Sequence, residues 1–262
     1  MRKEQKRGSL QPVLLPVITV LCFLLIWQLA VMAGFAQKLR LPTPVAVART
    51  FVDKLSNTNP DGATIQTNIL VSLKTSSIGL LLGILVGTPL GWLMGWYPLV
   101  RRFVKPLFEL TRPIPPIAWI PLTILWVGVG LKARVMIIFL SSFIPCVINA
   151  STGIGLTSKT LIDLSKTFGA GNFEIFLKIG IPSSLPITFA GMKIALGNAW
   201  STLVAAELLA ANAGLGYMIT MGRQFSRPDI ILLGMITIGL LGFTITKLFE
   251  LVEGSVVKWR AT

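Results

Sequence analysis

The stretch Asp163-Leu-Ser-Lys-Thr-Phe-Gly169-Ala-Gly-Asn-Phe-Glu-Ile-Phe-Leu-Lys178-Ile-Gly-Ile-Pro182-Ser-Ser-Leu185-Pro186 decides how this sequence folds. It is a long polar-to-amphipathic segment between apolar runs, and those runs are long enough to cross a bilayer. Such a segment lies outside the lipid. Leu161, Leu164 and Phe168 recur at helical spacing before Gly169, and Phe173, Phe176 and Leu177 do so after it, with Lys166, Glu174 and Lys178 at polar positions. The pattern predicts two short helical pieces hinged at Gly169, where the missing Cβ opens backbone angles closed to other residues. Pro182 and Pro186 are expected to stop the helix before the next apolar run. An exposed apolar stripe on such a hairpin needs a partner surface.

Outward from that stretch, the composition makes the membrane the solvent. The 262 residues are 53% hydrophobic and 13% charged, far too apolar for a soluble domain of this size. The formal charge of +14, from 24 Lys and Arg against 10 Asp and Glu, fits cytoplasmic loops held by the positive-inside rule and calls for no nucleic acid. Cys22 and Cys146 both fall in apolar runs and read as small hydrophobes. There is no His, which removes the commonest general base and metal ligand. No phosphate-binding Gly-x-x-x-x-Gly-Lys-Ser/Thr loop and no nucleophile constellation is present, so neither a catalytic nor a metal site is expected.

The expected fold class is an all-α membrane protein with about six transmembrane helices, at about 13–32, 73–96, 113–130, 135–154, 187–210 and 230–251. Residues 1–12, with Arg2, Lys3, Lys6 and Arg7, form a cytoplasmic tail, and 13–262 form one transmembrane domain. A cleaved signal peptide is the other reading of the first run, which is longer than signals usually are. Inner segments collect the larger share of Lys and Arg, including Arg101, Arg102, Lys105 and Arg112 in a second cytoplasmic cluster, which places both termini inside.

Individual spans carry further signals. Gly79, Gly83, Gly87, Gly91 and Gly95 recur in four-residue steps, a groove for close helix packing either within the subunit or across a dimer. Arg112-Pro113-Ile-Pro115-Pro116-Ile-Ala-Trp119-Ile-Pro121 cannot form a regular helix, so the third span begins unwound or bent. Non-helical backbone at membrane depth survives only against protein or a water-filled cavity, which makes Pro115, Pro116 and Trp119 candidates to line a path. Pro145 is expected to kink the fourth span, where Asn149 needs a polar partner. The fifth span is the most polar, with Lys193, Asn198, Ser201, Thr202 and Glu207. Glu207 must point away from lipid, either toward a solute or into a pair with Arg223 or Arg227.

An acidic residue followed by a glycine six positions on, and then by Ile179, Pro182, Leu185 and Pro186, resembles the cytoplasmic coupling loop of permease subunits of ATP-binding-cassette importers. Asp163, Leu164 and Ser165 stand where that family usually has Glu-Ala-Ala. Leu41-Pro-Thr-Pro44, Glu109-Leu-Thr-Arg112 with its proline run, and Ala199 to Ala211 followed by Gly214-Leu-Gly216 are similar to the taurine, aliphatic sulfonate and nitrate branch, most of all to taurine permeases.

The resemblance implies a type I importer permease fold with a coupling loop at 159–186. Asp163, Ser165, Phe168, Gly169, Phe173, Phe176, Pro182 and Pro186 would contact the ATPase. A path would run past Pro115, Pro116, Trp119, Asn149, Asn198, Ser201, Thr202 and Glu207. The implied partners are a second permease copy, two ATPase subunits carrying ATP and Mg, an outer solute-binding protein and the lipid bilayer. The implied cargo is a small sulfonate such as taurine, with nitrate or bicarbonate as the alternative; a zwitterion would suit Glu207. An ion-coupled secondary transporter is the reading of a different class, and it calls for matching internal halves that the sequence does not display.

Overall fold

The computed structural model of the chain describes residues 11–34 and 41–256. The basic residues expected in the tails, Arg2, Lys3, Lys6, Arg7, Lys258 and Arg260, and Lys38 and Arg40 of the first outer segment, lie outside the described residues. Among those described, four helices are long and apolar enough to cross a bilayer: Ile65–Trp96, Leu131–Gly155, Asn172–Leu209 and Pro228–Ser255. Ile18–Met32 and Pro116–Val127 are shorter apolar helices. In chain order the elements are α1 (Gln11–Met32), α2 (Pro44–Lys54), α3 (Ile65–Trp96), α4 (Pro98–Thr111), a 3-10 turn (Pro116–Trp119), α5 (Ile120–Val127), α6 (Leu131–Gly155), α7 (Lys159–Thr167), α8 (Asn172–Ile175), a π turn (Phe176–Gly180), α9 (Ile181–Ala210), α10 (Leu215–Gln224) and α11 (Pro228–Val256).

The core is a sheaf of α3, α6 and α9, with α6 in the middle. The glycine stripe of α3 lies along α6 inside the one chain. A Cβ added at Gly79 would meet Ile138, at Gly83 Ser142, at Gly87 the Phe143 carbonyl, at Gly91 the Val147 carbonyl and at Gly95 Ile154 and the Ser151 carbonyl. With no side chain between them, the two backbones come into direct contact, the close approach that substitutes for hydrophobic drive in lipid. On its other side α6 packs on α9, where Gly191 lies against Asn149, Gly153 against Ser184 and Ile187, and the Thr202 hydroxyl donates to Ser141 Oγ at 2.9 Å. A second core of Val47, Ile65, Leu215, Met218, Ile230 and Leu233 joins α2, α10 and α11 to the start of α3.

Three expectations are corrected. First, α3 starts at Ile65 rather than 73: the Thr64 hydroxyl caps it by accepting from Thr67 N–H, and Asn68 and Ser72 of its first turns are buried against the rest of the protein. Second, 98–111 is no polar connection. It is α4, which turns back at Tyr97 and packs Val100, Val104 and Phe108 against Leu90, Met94, Phe143 and Val147. The charges conceal this because α4 is strongly amphipathic, and only one face is spent on packing. The segment expected as the third crossing is therefore built of α4, a bend at 112–115, the 3-10 turn and α5 in succession. Third, Pro182 and Pro186 do not stop the helix. The π turn directly ahead of Pro182 widens the winding and makes room for its ring, and Pro186 is carried inside α9, so one helical rod runs from Asn172 to Ala210.

Candidate functional site

The first candidate surface is the arm formed by α7 and α8. Helix α7 ends in a Schellman motif: Gly169, at φ +82°, donates to the Lys166 carbonyl at 2.9 Å and Ala170 N–H to the Ser165 carbonyl at 3.0 Å. The chain thus turns at Gly169, and nothing lies within 4 Å of where its Cβ would be, so backbone angle alone fixes the residue. Leu161, Leu164, Phe168 and Phe173 are left exposed, Phe168 by 84%. Phe176 behaves otherwise: it is buried between Trp96 and Tyr97, with ring centroids at 5.7 and 5.6 Å. The grip expected of Phe173 and Phe176 therefore divides. Phe173 faces outward, while Phe176 pins the arm to the end of α3. Asp163 is exposed and Ser165 half-buried, the serine hydroxyl donating to the Leu161 carbonyl of its own helix.

The second candidate is the break in the third crossing and the face of α9 beside it. Pro115 is exposed, and Pro116 and Trp119 are half-buried, where the 3-10 turn packs on α6 and α9. On α9, Asn198 and Ser201 point outward, whereas Thr202 is buried in the seam with α6. Asn149 also lies in that seam, its amide donating to the Pro145 carbonyl of its own helix at 2.9 Å. Of the residues expected along a path, Pro115, Asn198 and Ser201 are exposed and Pro116, Trp119 and Asn149 half-buried, whereas Thr202 and Glu207 are enclosed by packing.

Glu207 belongs to a third constellation, unforeseen in the sequence. Its carboxylate is 1% exposed and accepts from the Ser72 hydroxyl at 2.7 and 2.9 Å and from Gly216 N–H at 2.9 Å; Arg134 Nη1 lies 3.6 Å away. Its ion partner is Arg134, not Arg223 or Arg227, and Arg227 is paired with Asp229 at 2.6 Å. That pairing holds the Arg227 guanidinium above its ordinary range, chiefly through the hydrogen bond to Asp229. The first N–H groups of α10 are capped in turn: Gly214 by Asn68, Leu215 by Ser72 and Gly216 by Glu207. Negative charge and acceptors at a helix N-terminus are the favourable arrangement. Asn68 Nδ2 also donates to Asp61, which pairs with the wholly buried Lys54, itself bonded to the Ala63 carbonyl. Lys54, Asp61, Asn68, Ser72, Glu207 and Arg134 form one chain of buried polar groups across the ends of α2, α3, α6, α9 and α10. Gly214 is at φ +123°, and a Cβ there would overlap the Glu207 carboxylate, which explains the Gly214-Leu-Gly216 spacing.

Residues 79–259 match the family model described as binding-protein-dependent transport system inner membrane component. The chain belongs to that family. Among relatives of this membrane component, a putative ABC transporter permease protein of Methanocaldococcus jannaschii is 36% identical over 221 residues, covering 84% of this chain and 82% of the relative. The taurine transport system permease protein TauC of Escherichia coli is 31% identical over 250 residues, 94% of this chain and 90% of that one. The nitrate import permease protein NrtB of Synechococcus elongatus is 31% identical over 252 residues, 93% and 89% of the two chains. An inward-facing structure of the MetNI methionine ABC transporter aligns with a TM-score of 0.58 at 18% identity, covering 72% of this chain and 94% of that chain, and shows the same type I permease fold.

For this transport component, two signals would have disclosed the polar chain. Asp61, Asn68 and Ser72 are polar groups just before an apolar run, and Arg134 lies three residues after Leu131, the first residue of α6. Read singly, each is an ordinary loop or helix-end residue; only their convergence with Glu207 makes them a unit.

Proposed function

We propose that this chain is the permease subunit of an ATP-driven importer for a small sulfonate such as taurine. Two copies enclose the path, and two ATPase subunits carrying ATP and Mg bind the arms from the cytosolic side. An extracytoplasmic protein delivers the solute. The chain lies in the cell (inner) membrane with both termini cytoplasmic, as one transmembrane domain behind a short tail. The observation that carries this reading is the arm: an exposed apolar tip of Leu164, Phe168 and Phe173, of which Phe173 stands on the helix that continues into the span bordering the bend of the third crossing, and Leu164 and Phe168 join it through the turn at Gly169. Such a tip needs a partner surface. The continuous helix converts a push on the tip into movement of α9 beside the path, and the Phe176 anchor carries it to α3 as well. Asp163, Ser165 and Gly169 shape the arm, and Pro182 and Pro186 lie on the rod that follows.

Nitrate is the second reading, and Glu207 favours keeping it. The carboxylate that would have met the ammonium of a zwitterion is occupied by Ser72, Gly216 and Arg134, so Glu207 does not repel a simple anion. The test is uptake of labelled taurine and nitrate into liposomes holding the permease with its ATPase and binding protein. Uptake that requires ATP and the binding protein supports the proposal; solute movement by the isolated chain, without ATPase, refutes it.

A further inference from the structure

We propose that Arg112 is the oxyanion-binding group of the translocation path, placed at mid-depth by the bend in the third crossing. This deepens the functional reading and rests on it.

The depth follows from contacts. Phe108 of α4 packs on Phe143, their ring centroids 6.3 Å apart, and Gly87 of α3 lies against the same Phe143. Arg112 N–H donates to the Phe108 carbonyl at 2.9 Å, so the helix is intact to that point and Arg112 stands one turn, about 6 Å, further along. One turn from Gly87 on antiparallel α3 is Gly83, which faces Ser142 near the middle of the 25-residue α6. Thr202 bonds the adjacent Ser141, so Ser201 of α9 shares this level. Arg112 is therefore about as far from either end of the bundle as a residue can be.

Three features say what it faces. Arg112 is exposed, and among the described residues its side chain makes no hydrogen bond or ion pair. It continues one face of α4: Arg101, Lys105, Glu109 and Arg112 fall at i, i+4, i+8 and i+11, all exposed. Leu99, Phe103 and Leu110 occupy a different exposed face, fit for lipid. Lys105 and Glu109 lie 3.5 Å apart and offset each other, leaving the stripe positive at its inner end and again at its top. A charged side chain and an unwound backbone at one depth are both costly against hydrocarbon, and both are at home in a water-filled path. A guanidinium there suits a small oxyanion, because it donates paired N–H groups in a plane. Asn198, exposed on α9, the helix on which the 3-10 turn packs, supplies a neutral donor.

The test uses the reconstituted complex with labelled taurine and nitrate as probes. Arg112→Gln should cut uptake about tenfold or more, the loss expected of one charge-assisted bond, while ATPase stimulation by the loaded binding protein persists. Arg112→Cys, in a chain carrying Cys22→Ser and Cys146→Ala, should react with both aminoethyl and sulfonatoethyl methanethiosulfonate. The first restores a positive charge and should recover uptake several-fold; the second should leave it suppressed. Wild-type uptake that Arg112→Gln leaves within about twofold overturns the inference alone. A cysteine unreactive to both reagents, or equal loss of uptake and ATPase stimulation in Arg112→Gln and Arg112→Lys, overturns it as well. A wild-type complex that moves neither anion refutes the functional reading and this inference with it.

Discussion

Replacing Glu207 with alanine separates a structural carboxylate from one that meets solute. The substitution removes the acceptor for Gly216 N–H and for one Ser72 hydroxyl, and it leaves Arg134 beside an apolar methyl in a site 1% exposed. Breaking a buried pair by removing one member costs about 3–5 kcal/mol. Two features place the effect at the low end. Arg134 keeps the Gly130 and Ala213 carbonyls at 3.3 and 3.2 Å, and single hydrogen bonds between membrane helices average only about 0.6 kcal/mol. A loss of about 3 kcal/mol corresponds to roughly 6–12 °C in a chain of this size. The measurement is the melting temperature of the purified permease in detergent, alongside a double-mutant cycle with Arg134→Met in which the pair should couple by about 1–2 kcal/mol. If Glu207→Ala melts with the wild type yet uptake collapses, the carboxylate serves the solute and the structural account is wrong.

Gly91→Val should lower the melting temperature, because its Cβ would lie 2.6 Å from the Val147 carbonyl oxygen and 2.7 Å from Ala150 Cβ; overpacking of this kind costs about 1–3 kcal/mol. Gly239→Ala, where nothing lies within 4 Å, is the control and should be neutral or gain up to about 1 kcal/mol of helix propensity. Gly169→Val should uncouple ATP hydrolysis from uptake while membrane insertion is retained, and Gly169→Asn should keep more of the coupling, since the left-handed angle there costs most residues about 1–2 kcal/mol. Unchanged uptake in Gly169→Val would count against the arm's role. Phe168→Ser and Phe173→Ser should weaken co-purification of the ATPase with little change in melting temperature, whereas Phe176→Ser, losing contact with Trp96 and Tyr97, should destabilise the permease by about 3 kcal/mol.

What the sequence disclosed of the fold was carried by residues with special backbones. Gly169 could be recognised as a hinge and 112–121 as an irregular start because glycine and proline restrict or free φ whatever surrounds them. The glycine stripe was visible as a packing face, but its partner helix was not, since a four-residue repeat says nothing of what fills the groove. Proline misled where its neighbours mattered: at Pro182 the ring that breaks a regular helix interior is accommodated directly behind a π turn. Charge misled at α4, where Arg101, Arg102 and Lys105 obscured the Val100, Val104 and Phe108 face. The polar chain through Glu207 was hidden because its members are far apart in sequence, as Ser72 and Glu207 are, and a lone acid in an apolar run offers many equally reasonable partners.

The π turn at Phe176–Gly180 has a consequence for how this rod can be altered. A π turn holds one residue more than the α-helical turn it replaces, so removing a single residue there would restore ordinary winding and leave Phe173 at nearly its present azimuth relative to Thr188. The same deletion a little further on, in the α-helical winding of α9, has no wide turn to absorb it and would swing the tip about 100° around the axis. A one-residue deletion in the π turn should therefore leave the motor its socket, whereas one at 183–187 should yield a permease whose tip points the wrong way.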